Sequence, residues 1–172
     1  VTSCNNENEE INLKEYIGEY ALVGTVADDK TLEYLKGAVV SFLDPETDQL
    51  IKTFTMDANG AFASDILKEN IPGDRIAFNI NIEKEDYLTQ TFKLDSVLGF
   101  FPTLKLDYLI TKNEIGIDIG AVFDLNPIYF DVDKSNIRPD AAMELDKIVK
   151  IMNENPSIKI ELGSHTDCRA SK

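Results

Sequence analysis

Short β-type runs of residues follow one another from residue 20 to residue 110, and the last of them alternates between apolar and polar positions, as is typical of a half-buried β-strand. Turn signals such as Asp57-Ala58-Asn59-Gly60 separate the runs. Short strands at this regular spacing predict a small antiparallel β-sandwich over residues 20–110. The runs cover residues 20–27, 38–43, 50–56, 61–66, 76–82, 87–94 and 104–110.

The pattern changes after residue 127, where the chain predicts a strand, a helix and a second strand. Residues 128–130 are a compact apolar run, and residues 158–162 alternate between apolar and charged side chains. Between them, Pro139 suits the first turn of a helix, and Pro156 cannot extend one. We expect one apolar stripe of this helix to face a core. The stripe contains Ala141, Leu145, Ile148, Val149 and Met152.

Two loops of this segment are candidates for a binding site. If both strands lie in one sheet, the helical connection makes them parallel and brings the loops 131–137 and 164–169 together. Asp140 and Glu144 place negative charge near the positive end of the helix dipole. We expect the connecting residues 111–127 to cover the sheet. The covering side chains would be Ile115, Ile117, Ile119 and Val122.

The first 19 residues form an acidic, polar segment that contains Cys4. A small residue before the cysteine and a polar tail after it are typical of the end of a bacterial lipoprotein signal, in which Cys4 would be acylated. The alternative interpretation is a linker between domains of a longer polypeptide. Pairing between Cys4 and Cys168 is also open, because they lie near opposite ends of the 172 residues.

Charge and composition exclude several classes of function. The net charge of −14 argues against nucleic acid and anionic lipid surfaces, which attract basic patches. No apolar stretch approaches the roughly 20 residues that a membrane-spanning helix needs.

The sequence gives little indication of a catalytic site or a metal-binding site. His165, Asp167 and Cys168 could contact a metal ion, but their spacing is not that of a zinc site. Ser164 beside His165 lacks the carboxylate and the oxyanion donors of a catalytic triad. The sequence therefore predicts a protein that is not an enzyme and needs no cofactor or metal.

Residues 118–172 contain several spaced motifs, which are Ile128-Tyr129-Phe130-Asp131, Ile137-Arg138-Pro139, Asn155-Pro156 and Gly163-Ser164-His165-Thr166-Asp167. Together these motifs resemble the OmpA-like peptidoglycan-binding domain. The commoner family form is Gly-His-Thr-Asp, so Ser164 is a departure from it. The family continues with a helix that carries a binding arginine and with further strands, whereas this sequence ends at Lys172. We therefore expect a stable sandwich and a weakly ordered C-terminal unit with little affinity for diaminopimelate.

Three motifs stand out in the N-terminal region: Gly24-Thr25-Val26, Leu35-Lys36-Gly37-Ala38-Val39-Val40 and Asp57-Ala58-Asn59-Gly60-Ala61-Phe62. They resemble the carboxypeptidase-regulatory-like β-sandwich, a module that often precedes OmpA-like domains in envelope proteins of Bacteroidetes-type bacteria. Together the two resemblances imply a mainly β plus α/β protein. It would have a tether or linker (residues 1–19), an antiparallel β-sandwich (20–110), and a connector with a partial βαβ OmpA-like domain (111–172).

The OmpA-like resemblance also implies a function. It is that of a non-catalytic protein of the outer membrane and periplasm, which anchors the envelope to the cell wall by recognising diaminopimelate in the stem peptide of peptidoglycan. The ligand-binding residues would be Asp167, Asp133, Asp131, Thr166 and Val132. Further partners would be outer-membrane or envelope proteins. The alternative is a β-sandwich module that binds a protein or glycan partner in the envelope. The apolar run at residues 98–102 is expected to pack between domains rather than to bind a partner.

Overall fold

The computed structural model describes residues 18–131 and 134–163. The chain divides between Lys112 and Asn113 into two compact units, the sandwich unit and the C-terminal unit. Cys4, Val132, Asp133 and residues 164–168 lie outside the described residues, and the sequence predictions on them stay predictions.

The sandwich unit is built from seven strands in two sheets. One sheet has the strand order β4-β1-β7, and the other has the order β3-β2-β5-β6. The seven predicted strands are thereby confirmed, although the run at residues 87–94 enters its strand only at Gln90. The strands are β1 (Ala21–Asp28), β2 (Val39–Leu43), β3 (Leu50–Thr55), β4 (Ala61–Ser64), β5 (Arg75–Glu83), β6 (Gln90–Val97) and β7 (Thr103–Ile110).

Side chains from the facing surfaces of both sheets fill one core. Leu22 of β1 and Phe42 of β2 are fully buried. The Phe42 ring meets the Phe62 ring of the other sheet edge-on, with centroids 6.0 Å apart. At the opposite edge Phe92 and Tyr108 also link the two sheets, with tilted rings whose centroids are 4.8 Å apart. These inward positions are the apolar members of the alternating pattern, so the sequence pattern and the core agree.

One ladder runs against the prediction of a wholly antiparallel sandwich. β1 and β7 pair in parallel over eight residues, from Ala21 opposite Thr103 to Asp28 opposite Ile110. The other four ladders are antiparallel. The prediction is wrong at β1–β7 because a period of two tells which face a residue occupies but not the direction of the neighbouring strand.

Two glycines of the sandwich motifs lie where a larger side chain would collide with its neighbours. A Cβ at Gly24 would lie 2.4 Å from the Leu106 carbonyl oxygen and 2.5 Å from the Phe62 ring. Gly60 has φ +63° in the turn before β4, and a Cβ there would lie 2.9 Å from the Val26 carbonyl oxygen. The carboxylate of Asp57 closes that turn by accepting the N–H of Ala61 at 2.9 Å. Both positions therefore require glycine, because a Cβ would overlap neighbouring backbone or ring atoms.

The C-terminal unit contains two described helices, α1 (Ile119–Val122) and α2 (Pro139–Glu154). Pro139 opens α2, and the N–H of Asn155 donates to the Ile151 carbonyl at 2.9 Å where the helix ends. The predicted helix between Pro139 and Pro156 is therefore confirmed. Neither described helix has the length and apolar character to cross a membrane.

The strands predicted on either side of α2 are not formed. Residues 128–131 and 158–163 belong to no strand, so the predicted βαβ arrangement is not observed among the described residues. Apolar alternation favours an extended chain, but a strand also needs a hydrogen-bonded partner, and a lone parallel pair is weak. Phe130 and Leu162 stay 54% and 68% exposed. Ile115 is fully exposed as well, so the expectation that it covers a sheet is wrong.

The buried stripe of α2 is rotated from the predicted one. Ala141 and Ile151 are its buried side chains, with Leu145 and Ile148 half-buried between them. Val149, which was expected on the stripe, is 57% exposed. The expected member Met152 is also exposed. Positions 141, 145, 148 and 151 follow the i, i+3, i+4 spacing of one helix face without positions 149 and 152.

Candidate functional site

Asp131 is the one predicted ligand-binding residue that lies within the described part of the chain. Its exposed carboxylate accepts a hydrogen bond of 3.4 Å from Nη1 of Arg138, and its carbonyl accepts the N–H of Lys134 at 3.0 Å. Nε of the same guanidinium donates to Asp140 at 3.1 Å. Arg138 therefore lies between two carboxylates, directly before the first turn of α2.

The other predicted ligand-binding residues, Val132, Asp133, Thr166 and Asp167, lie outside the described residues. The same holds for Cys4. The structure therefore does not test whether these side chains come together with Asp131.

Glu144 has a role that the sequence did not indicate. Its carboxylate accepts hydrogen bonds from the backbone N–H and the side-chain amide of Asn126 at 3.1 and 3.0 Å, and Nζ of Lys147 approaches to 2.7 Å. The Lys147 ammonium, followed by the two Asn126 donors, lowers the pKa of Glu144 to about 2. Glu144 thus ties the segment before α2 to the helix, in addition to any favourable interaction with the dipole.

A buried polar network lies at one end of the sandwich unit. Asp28 is 5% exposed, and its carboxylate accepts the N–H groups of Thr31 and Lys30 at 2.7 and 2.9 Å and the hydroxyl of Tyr87 at 2.9 Å. The Thr31 N–H contributes most to the set of hydrogen bonds that lowers the pKa of Asp28 to about 2. Burial, followed by the Asp28 carboxylate, raises the pKa of Tyr87 to about 12.

A second set of contacts extends this network. The Thr111 hydroxyl donates to Oδ2 of Asp29 at 2.7 Å, and the Thr111 N–H donates to the side-chain carbonyl of Gln90 at 2.7 Å. Within the described residues, Oδ1 of Asp29 is buried without a hydrogen-bond partner. The network joins the turn after β1 to the start of β6 and the end of β7, and its geometry is that of a structural clasp.

The described residues offer no cluster of side chains suited to metal binding. Residues 18–131 and 134–163 contain no group of three or more His, Cys, Asp or Glu side chains that could hold a metal ion. The single histidine of the chain, His165, lies outside them. The remaining candidate sites are surface grooves.

The first groove lies on the outer face of the β4-β1-β7 sheet, over β1 and β7, and encloses about 230 Å³. We call it the β1–β7 groove. Asp107 lines the groove, where it accepts the Thr25 hydroxyl at 2.7 Å and pairs with Nζ of Lys105 at 3.1 Å. The Thr25 hydroxyl, followed by Lys105, lowers the pKa of Asp107. The residues that carry its chemistry are Thr25, Leu32, Tyr34, Lys105, Asp107 and Leu109.

The second cleft, of about 370 Å³, lies between β3 and β4, the neighbouring edges of the two sheets. Phe54 and Phe62 stack on its floor with centroids 5.5 Å apart, and Nζ of Lys52 lies 5.4 Å from the Phe54 ring centroid. Its lining is apolar apart from Thr55 and Asp57, and Asp57 already serves the turn before β4. This cleft lies between the edge strands of the two sheets, and it offers few polar groups to orient a ligand.

Sequence reasoning missed the β1–β7 groove. Lys105 and Asp107 occupy the polar positions of an alternating strand, which usually means only that they face solvent. Their place beside Thr25 depends on the parallel pairing of β1 with β7, across 82 residues of sequence. In the sequence Tyr34 is only an aromatic residue between two strands, and one such residue is a weak indication of a binding surface.

The chain matches no family model and no curated protein. Solved structures that resemble it include the chlorocatechol 1,2-dioxygenase of Pseudomonas putida, with 14% identity and a TM-score of 0.37 over 55% of this chain and 61% of that one. The group B streptococcus pilus 2b backbone protein shows 12% identity and a TM-score of 0.41 over 55% and 41% of the two chains. BcpA, the major pilin subunit of Bacillus cereus, shows 20% and 0.39 over 55% and 30%. This chain therefore spans less than two thirds of each of these proteins, and TM-scores below 0.5 carry no argument about ligand or activity.

Proposed function

We propose that this chain is a non-catalytic peptidoglycan-binding protein of the bacterial envelope, which anchors the outer membrane to the cell wall. The observation that carries the proposal is the helix α2 itself. It begins directly after Ile137-Arg138 and ends at Asn155-Pro156, which are the motif positions that resemble the OmpA-like family. The motif Gly163-Ser164-His165-Thr166-Asp167 follows it in the sequence and supplies the proposed binding loop.

The ligand in this proposal is the diaminopimelate of the peptide stem. Its side chain ends in an ammonium and a carboxylate, so a receptor needs one placed anion and one placed cation. Asp167 would bind the ammonium, and Thr166, Asp133 and Val132 would line the same loops.

Arg138 is suited to bind the ligand carboxylate. It already lies in the loop region at Asp131, and a guanidinium can bind a carboxylate through two parallel hydrogen bonds. Its present contact with Asp131 is long, at 3.4 Å, and its side chain is 42% exposed. Exchanging this contact for a ligand carboxylate would therefore cost little.

Attachment to the outer membrane would come through acylation of Cys4, with the acidic residues after it as a tether. The sandwich unit would then face the periplasm and contact envelope proteins. Because the net charge is −14, contact with the acidic wall polymer depends on local cations such as Arg138 rather than on the charge of the whole chain.

The test is retention of the full gene product on purified sacculi. Asp167→Ala and Arg138→Gln should each reduce the bound fraction at least severalfold, because each removes one of the two charges that the ligand requires. Asp146→Ala, on the exposed face of α2, is the matched control and should bind like the parent chain. Equal retention of Asp167→Ala and the parent would rule out the site assignment.

A second candidate function is an interaction module of the envelope in which the sandwich surface binds the partner. The β1–β7 groove favours it, because the groove joins exposed apolar side chains to a hydrogen-bonded polar row. Deleting residues 20–107 separates the two candidates. Wall binding that survives the deletion supports anchoring, whereas loss of a cross-linked envelope partner supports the interaction module.

A further inference from the structure

The outer faces of the two sheets differ in chemistry. The outer face of the β3-β2-β5-β6 sheet carries hydrogen-bonded polar pairs, as between Ser41 and Thr53 at 3.2 Å, beside the exposed apolar side chains of Ile51 and Val97. Arg75 and Asp95 form a bidentate pair on the same face, at 2.8 and 2.7 Å. This is the surface expected of a sheet face in contact with water.

The outer face of the β4-β1-β7 sheet carries mostly small side chains and a single charge pair. Its strand positions are Ala61 and Ala63 on β4, Ala21, Val23, Thr25 and Ala27 on β1, and Thr103, Lys105, Asp107 and Leu109 on β7. The only charges among these positions, Lys105 and Asp107, pair with each other. In a chain with a net charge of −14, this face is therefore locally neutral.

The turn after β1 projects two more apolar side chains over this face. Leu32 has φ +60° and is 64% exposed, and Tyr34 is 62% exposed. A left-handed conformation is unfavourable for a non-glycine residue and persists only where its surroundings impose it. Here the Asp28 carboxylate holds the turn, and the Leu32 N–H donates to the Asp28 carbonyl at 3.0 Å. The clasp at Asp28 thus presents Leu32 and Tyr34 to the groove.

The size of the face limits what it can bind. Three strands about 4.8 Å apart and at most eight residues long give a patch of about 14 by 26 Å. This is less than half of the roughly 800 Å² that each partner buries in a standard protein interface. The ligand is therefore narrow, and it lies in a groove of about 230 Å³.

The polar groups of the groove define the charge and hydrogen bonding of that ligand. Lys105 and Asp107 neutralise each other, so a charged ligand would gain from one and be repelled by the other. An uncharged ligand with both donors and acceptors can instead bind the ammonium, the carboxylate and the Thr25 hydroxyl together. An apolar face on the same ligand would pack on Tyr34 and Leu32.

We propose that the β1–β7 groove binds an uncharged oligosaccharide, with a sugar ring packed on Tyr34 and its hydroxyls hydrogen-bonded to Thr25, Lys105 and Asp107. A saccharide is narrow, neutral and rich in hydroxyl groups, and its rings have apolar faces. The proposal rests on the second candidate function and names its class of ligand. It is independent of Asp167 and of the wall site.

The test is calorimetric titration of the full chain with chitohexaose, cellohexaose and maltohexaose. At least one should bind saturably, and Tyr34→Ala should weaken it at least tenfold. Tyr129→Ala is the matched control, because Tyr129 lies in the C-terminal unit and is 63% exposed against 62% for Tyr34. Leu109→Ser is a second groove variant, at a position that is 48% exposed. It tests the groove independently of whether Tyr34→Ala folds correctly.

The outcomes separate this proposal from the others. Binding of chitohexaose alone would identify an N-acetylated glycan such as that of the wall, whereas cellohexaose or maltohexaose would identify a different polymer. Asp167→Ala should lose sacculus retention by the stem peptide and keep oligosaccharide affinity. Failure of all three oligosaccharides to bind, or equal affinities for Tyr34→Ala and Tyr129→Ala, would overturn the proposal. A dimer in sedimentation velocity that Leu109→Ser dissociates would overturn it too, because the face would then contact a second copy.

Discussion

The Tyr87 hydroxyl donates a hydrogen bond of 2.9 Å to the carboxylate of Asp28, which lies 59 residues earlier in the chain. This contact joins the loop before β6 to the end of β1 and completes the set of donors around a buried anion. Since the anion is held by fixed donors, its protonation is linked to folding.

We predict an acid-labile contribution from Asp28. Its pKa is about 2 in the folded protein against an ordinary value of 3.8, so the carboxylate stabilises the fold above pH 4 and loses that effect as the pH falls through 2. The contribution at neutral pH is about 2 kcal/mol. Urea unfolding of the parent and Asp28→Asn at several pH values measures it. The two stabilities should converge toward pH 2, while Asp146→Asn follows the parent. A constant gap between parent and Asp28→Asn would contradict the linkage.

Gly24→Ala should destabilise the sandwich by about 3 kcal/mol, at the upper end of what overpacking costs. The added Cβ would overlap the Leu106 carbonyl oxygen on the neighbouring strand, and backbone can move aside less easily than a side chain. Gly99→Ala is the control, because a Cβ there meets nothing within 4 Å. Thermal unfolding of both variants checks the prediction, and equal midpoints would refute it.

Amide hydrogen exchange should divide the described chain into three classes. Ladder amides of β1 and β5, within the core of the sandwich, should be strongly protected. Amides of residues 128–131 and 158–163 should exchange fast, because these segments belong to no strand. Amides of α2 should fall between the two. Protection of 158–163 equal to that of β5 would show that these residues pair with a partner in solution.

Glu144→Gln should free the segment before α2. The neutral amide loses the charge-assisted bonds to Lys147 and Asn126, whereas the parent carboxylate has its pKa lowered to about 2 and stays ionised through the physiological range. Carbon-detected NMR titration of Glu144 and the order parameter of the Asn126 amide measure the two effects. An unchanged Asn126 amide in Glu144→Gln would show that another contact holds the segment.

The sequence predicts the strands better than their arrangement. Alternation located β1 and β7 because Leu22 and Tyr108 had to face a core, whereas their parallel pairing depends on hydrogen bonds that leave no mark on composition. On α2 the helical spacing is predicted correctly, but Ile151 is buried and Val149 is exposed, where the prediction put Val149 on the buried stripe. An error of one position along a helix turns the predicted stripe by 100°. Residues 128–130 have the composition of a strand, but that composition does not supply a partner.

The candidate sites also differ in whether the sequence could predict them. Asp131 and Arg138 belong to local motifs seven residues apart, so their proximity could be expected from the sequence. The groove around Asp107 could not be expected, because Thr25 reaches it only through the register of β1 against β7. Side chains brought together by strand pairing carry no common sequence pattern when the strands are 82 residues apart.

The parallel ladder between β1 and β7 also sets how the sandwich unit would carry mechanical load. Its first and last strands point the same way, so the chain joins the unit at one end of the ladder and leaves it about 26 Å away at the other, with eight paired residues between. Tension along the chain would then slide the two strands past each other, loading all of their hydrogen bonds at once rather than opening them one by one. A unit stretched between a membrane and a wall would resist extension through this shear geometry, and its lifetime under force would be governed by the unfolding rate.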